Sequence, residues 1–173
     1  MMSTRILVTE FAAPERAPIE VIQRQSAAIA ECPLTPQSIE SVLNYVFVLN
    51  AQRQIVFVSP NAQDLPLNKT LDSIIGMRLG EALDCQHSRD MEAGCGTSAF
   101  CRECGIAKAI LAALEGQKTT MECHLTRIIN LAPAAMDLRV YAIPFEHGGE
   151  TYVMLSIVDS GQNRPQPPPV PGH

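Results

Sequence analysis

Apolar residues change spacing several times along this chain, and each change marks an element. Ile19, Ile22 and Ile29, with alanines between them, keep a helical period until Cys32-Pro33 stops it. The stripe is narrow. It predicts a helix packed either on its own domain or on a second copy of the chain. Thr35-Pro36 reads as a helix start, with Ile39, Val42 and Leu43 as the buried side of a short helix. Asn44–Leu49 and Gln54–Ser59 predict two strands joined by the polar turn Asn50–Arg53. Tyr45, Phe47 and Leu49 fall on one face, Val46 and Val48 on the other, so both faces need cover. Pro66 and Gly76 break residues 61–83 into short helical pieces. Ile106, Ile110, Leu111 and Leu114 share one face of the clearest helix, over 103–115, with Gly116 as its stop. Alternation then returns in three closing strands, Thr119–Ile129, Met136–Ile143 and Thr151–Val158, with a Gly148-Gly149 turn before the last.

Two strands, then helices, then three strands predict an α+β domain: a five-stranded antiparallel sheet with helices on one face. Residues 1–17 show no period and read as a loose arm with at most a short strand at Arg5–Thr9. Residues 161–173 hold five prolines, which predicts an extended, disordered tail. The layout is then an N-terminal arm and helix over 1–37, a folded domain over 38–160, and the proline-rich tail over 161–173.

Composition narrows the class. Hydrophobic residues make up 46% of the 173, enough for a core, and the net charge is −5. An acidic balance without a basic stripe argues against nucleic acid or an anionic membrane as partner. No apolar run reaches the length of a membrane span, and Glu10 follows the short Ile6-Leu7-Val8 run too soon for a signal-peptide core. The expected location is the cytoplasm, where clustered cysteines serve more often as ligands or redox groups than as structural disulfides.

Four of the six cysteines fall between Cys85 and Cys104, spaced C-x9-C-x5-C-x2-C, with His87 close behind the first. This stretch has no apolar period and calls for a local constraint. Cys85, Cys95, Cys101 and Cys104 as thiolate ligands would supply one, and Gly94, Gly96 and Gly105 would let the backbone close around a metal. All-cysteine ligation suits a tetrahedral zinc ion or an iron–sulfur cluster, with His87 as an alternative ligand. Two other readings stand beside it. Cys101 and Cys104, at a helix N-terminus, could form a thiol–disulfide redox pair. The cysteines could also be small buried apolar groups in a pure protein-interaction module. Cys123 reads as core or as lining for a cofactor region; His124 and His147 read as surface, Cys32 as incidental, and Asp137 with Arg139 as a surface pair. No phosphate-binding loop, Ser-His-Asp set or paired carboxylates stand out, so no enzyme is expected.

The strands around Tyr45–Ser59 with Asn61 after them, the helix 103–115 and the closing strands ending at Asp159 resemble a PAS domain over roughly residues 38–159. Gly76-Met-Arg-Leu-Gly80-Glu-Ala-Leu83-Asp-Cys85-Gln-His87, Gly94-Cys95-Gly96-Thr97 and Cys101-Arg-Glu-Cys104-Gly105, with Glu122-Cys123 downstream, resemble a cysteine-rich PAS variant in the sensory region of bacterial histidine kinases. The resemblance implies a signal-transduction input module, often a homodimer, holding a ligand or cofactor between sheet and helices. It tilts the metal choice slightly toward the iron–sulfur cluster. After Asp159 the chain turns into the proline tail without a phosphoacceptor helix or ATP-binding segment. The expected partner is therefore a separate signalling protein, such as a histidine kinase.

Overall fold

The computed structural model describes residues 7–32 and 44–160. The helix expected from Thr35-Pro36 and the proline-rich tail lie outside them. The chain runs through α1 (Ile19–Ala30), β1 (Tyr45–Leu49), β2 (Ile55–Val58), two one-turn helices α2 (Leu71–Ile74) and α3 (Leu79–Ala82), and α4 (Gly105–Leu114). It closes with β3 (Thr119–Ile129), β4 (Ala132–His147) and β5 (Glu150–Asp159). The five strands form one antiparallel sheet in the order β2-β1-β5-β4-β3. The last strand thus occupies the middle of the sheet, between β1 and β4.

β4 is longer at both ends than the alternating run Met136–Ile143 suggests. Asn130 and Leu131 turn the chain with φ of 50° and 66°, and β4 begins directly after them. Asparagine tolerates this left-handed region, but a leucine there gives no hairpin signal. Pro133 and Pro144 also hide the strand. Both fall where β4 is paired on one side only, because β3 covers 132–142 and β5 covers 138–147. A proline there can turn its missing donor to the open edge.

One sheet face is covered by α4 and the other in part by α1, leaving Glu122, His124, Arg139 and Ile143 of β3 and β4 exposed. On one, Phe47, Leu49, Val140 and Leu155 pack under α4, which presents Ile106, Ala109, Ile110 and Ala113. The alanines are fully buried and bring the helix axis close to the sheet; Leu111 and Leu114, expected on that face, lie toward its edges. On the other face, Ile22 and Ile29 of α1 pack on Val48, Val56 and Tyr152. Burial of each isoleucine contributes about 2 kcal/mol. The question the narrow stripe left open is answered: the buried side of α1 lies on its own sheet. Gln25 accepts from Asn50 Nδ2 at 2.9 Å, and Arg24 donates twice to Glu150 at 2.9 and 3.0 Å.

The arm is not loose over its described part. Glu10 N–H and Ala12 N–H donate to the carbonyls of Thr97 and Gly96, Arg53 donates to Ala13 O, and Ala17 N–H donates to Gln54 Oε1. Residues 7–9 carry no strand. An irregular segment lacking a period of its own can still be fixed when its backbone groups find partners elsewhere.

Candidate functional site

The cysteine stretch is a coil of short turns, and each turn has an identifiable support. Cys85 follows Asp84, whose φ is 58°, and its N–H donates to Gly80 O at 2.8 Å. An isolated bridge to Arg127 pins it to β3. Arg127, itself buried, donates to Leu83 O at 2.7 Å and to Pro66 O. Cys95 is held by its N–H to Glu81 Oε2 at 3.2 Å. Cys101 sits in a 3-10 turn, Ala99–Glu103, whose cap Ser98 accepts from Phe100 N–H. Cys104 is the residue from which α4 starts.

These turns aim Cys85, Cys95, Cys101 and Cys104 at one cavity of about 270 Å³ between α3, α4 and the loop. Ile106, Ile110 and Leu79 form its apolar floor, and His87, Phe100 and Glu103 stand at its rim. Cys123 approaches from β3, its Sγ 3.8 Å from Cys104 Sγ. Cys123, read from the sequence as core or as lining of a cofactor region, is buried behind Cys104 and does not itself line the cavity. Among the described residues no three His, Cys, Asp or Glu side chains stand as a ready group of metal ligands. His87 is engaged, with Nδ1 2.6 Å from Asp90 Oδ2 and its ring stacked on Phe100 at 4.5 Å. His124 is exposed beside Asp137, and Arg139 pairs with Glu122 at 2.9 Å. The expected Asp137–Arg139 pair is replaced by these two, because register sets each residue opposite a partner on β3.

The wall behind Cys95 carries buried positive charge that spacing did not reveal. Arg78, 1% exposed, donates to the carbonyls of Gln52, Ala93, Cys95, Pro14 and Glu15. Arg53 is buried beside it, and both line the cavity. Arg16 binds Glu81, which also accepts from Arg78 N–H at 3.1 Å. Three guanidiniums therefore share one nearby carboxylate. The available signal was Met77-Arg78-Leu79, a charged residue set between two apolar ones next to Gly76.

The thiols respond to this enclosure. Burial pushes Cys95 up to about 12 and Cys85 up to about 11, eased by the amides of Gly80 and His87 respectively. Cys101 is raised for the same reason. Cys104 and Cys123 act as a pair. The hydrogen bond from Cys104 lowers Cys123, helped by the Ile106 and Gly105 amides, and Cys104 is raised in exchange. Burial thus keeps Cys85, Cys95 and Cys101 as neutral thiols even with Arg53 and Arg78 nearby, and a bound cation would be needed to favour their thiolates.

No protein-family model and no curated protein sequence matches the chain. Among solved structures, a light–oxygen–voltage domain studied with a flavin analogue matches with TM-score 0.52 and 12% identity, over 77% of this chain and 89% of that one. A PAS domain from Desulfitobacterium hafniense gives 0.49 and 12%, over 71% and 98%. The PAS domain of Bordetella pertussis BvgS gives 0.48 and 17%, over 78% and 89%. No helix among the described residues is long and apolar enough to cross a membrane. With the last strand between β1 and β4, and α3 and α4 facing a cavity on one side of the sheet, the chain has the fold of a PAS domain.

Proposed function

We propose that this PAS domain is a sensor module whose cysteine cavity takes an iron–sulfur cluster, and that loss or oxidation of that centre is the signal passed to a separate signalling protein. The observation that carries the reading is the gathering of Cys85, Cys95, Cys101 and Cys104 on one cavity whose rear wall is Arg53 and Arg78. Four thiolates around a cluster leave a net negative body, and buried guanidiniums suit it. A single zinc ion needs four sulfurs within about 2.3 Å of one point. A zinc ion on the same four cysteines is the second reading. When bound, the centre would supply one-electron chemistry and oxygen sensitivity. Arg78 and Glu81 hold the loop that carries Cys95, and α4 carries Cys104, so a change at the centre acts on both.

The test is anaerobic purification of the full chain with metal, sulfide and visible-spectrum analysis. A brown protein with iron and sulfide, bleached by Cys95→Ser, supports the reading. A colourless protein with stoichiometric zinc selects the second one, and a folded protein with neither overturns both. Homodimer formation and a histidine kinase as partner belong to the same proposal, checked by sedimentation and by phosphotransfer with and without the loaded module.

A further inference from the structure

We infer that Cys104 and Cys123 form a thiol pair that closes to a disulfide across the contact between α4 and β3 when the metal-free protein meets a low-molecular-weight disulfide. Their sulfurs are 3.8 Å apart although the residues come from different elements. What brings them together is Gly105. Its Cα lies against the Glu122 carbonyl so closely that a Cβ would collide with it, and that same point is 3.3 Å from Cys123 Cβ. The start of α4 and the middle of β3 therefore touch backbone to backbone, with the two sulfurs side by side. The pairing expected from the C-x-x-C spacing was Cys101 with Cys104; the sheet instead gives Cys104 a neighbour nineteen residues on.

Access is graded. Cys104 lines the cavity, whose rim includes Phe100, 65% exposed. Cys123 is 4% exposed and stands behind Cys104. A small disulfide entering from the rim meets Cys104 first. Cys104 attacks one sulfur of R–S–S–R as its proton passes to the Cys123 thiolate across their 3.8 Å contact, forming a protein–S–S–R bond and releasing one R–S thiolate, which then takes the proton from Cys123. The Cys123 thiolate then attacks the Cys104 sulfur, the Cys104–S–R bond breaks, and the second R–S leaves to be protonated. In total, two protein thiols are oxidised and one small disulfide is reduced to two thiols. The product ties α4 to β3 and removes Cys104 from the cavity. The inference goes beyond the cluster proposal and concerns the dithiol whether or not a centre is ever loaded there.

The full chain is treated with chelator and dithiothreitol, desalted without oxygen, and exposed in native buffer to oxidised glutathione. It is then digested with trypsin without reduction and mapped by mass spectrometry. Cleavage after Arg102 separates Cys101 from Cys104. The expected dominant product joins the peptide 103–108 to the peptide 119–127. Cys123→Ser should trap glutathione on Cys104, and Cys101→Ser should behave as the unaltered chain. A dominant Cys101–Cys104 bond, glutathione retained on Cys104 in the unaltered chain, or all thiols left free overturns the inference.

Discussion

Gly80 and Cys95 touch with no room for a side chain between them. A Cβ on Gly80 would stand 2.6 Å from Cys95 Sγ and 3.4 Å from Cys85 Cβ. Gly80 lies inside α3, where an alanine would ordinarily stabilise the helix by about 1 kcal/mol. The two effects oppose each other, and overpacking at about 1–3 kcal/mol is the larger. Gly80→Ala should therefore lower the melting temperature and speed alkylation of Cys95 in native buffer. A rise in melting temperature would show that the sulfur moves aside freely.

Arg78 is the second fixed point. Its guanidinium is held down to about 10 by burial and by Arg53, yet it stays charged at neutral pH. The side chain serves carbonyls from three separate stretches: Gln52 in the turn, Pro14 and Glu15 in the arm, Ala93 and Cys95 in the loop. Arg78→Met leaves these acceptors buried without that donor, at about 1–3 kcal/mol for each that water fails to reach. The expected loss is about 3 kcal/mol or more by urea unfolding. Arg78→Lys should recover little of it, since an ammonium cannot span the same carbonyls. A loss under about 1 kcal/mol would refute this role.

Much of the sheet was legible because β3 and the middle of β4 alternate, β1, β2 and β5 are dense in β-branched and aromatic residues, and α1 and α4 keep a helical period. The β4 boundaries were not, because Leu131 stands where a glycine would signal the turn and is 96% exposed. The four loop cysteines were legible as a group by their spacing alone. Cys123 was legible as core, but its contact with Cys104 was not, since that depends on how β3 meets α4. Arg53 and Arg78 were hidden for a related reason: a charged residue reads as surface until the carbonyls that satisfy it are known. Sequence patterns report which residues are apolar and at what period. They do not report which distant backbone groups a buried cation will find.

The hold on α1 has a pH dependence that follows from Glu150. The Arg24 hydrogen bond, with those from Tyr152 and Gln25, lowers this carboxyl to about 2 from 4.5. A depressed carboxyl contributes stability that is fully present above the unfolded value and lost as pH falls through the folded one. Amide exchange in α1 should therefore quicken between about pH 4.5 and 2 relative to the β5 core. Glu150→Gln should flatten that dependence and lower the neutral-pH melting temperature by about 2 °C, the effect of a solvent-screened ion pair. An unchanged acid profile in Glu150→Gln would assign the loosening to another group.

Glu81 joins the arm to the cysteine loop. Its carboxylate accepts from Arg16, from Arg78 N–H and from Cys95 N–H, so one side chain ties the arm to the cysteine loop. Burial alone would raise its pKa, but these partners outweigh it and the carboxyl stays below its ordinary value. Glu81→Gln keeps the shape, removes the charge, and weakens all three bonds together, with an expected cost of about 1–3 kcal/mol. Two readouts should move in step: trypsin cleavage after Arg16 and alkylation of Cys95. Arg16→Ala should release the arm, seen as faster amide exchange over 7–17, while leaving Cys95 protected, because the Cys95 N–H bond does not pass through Arg16. If Glu81→Gln frees the arm but leaves Cys95 as slow to alkylate as before, the loop is held by Arg78 alone. The coupling between cavity and arm then has to run through the Arg78 guanidinium.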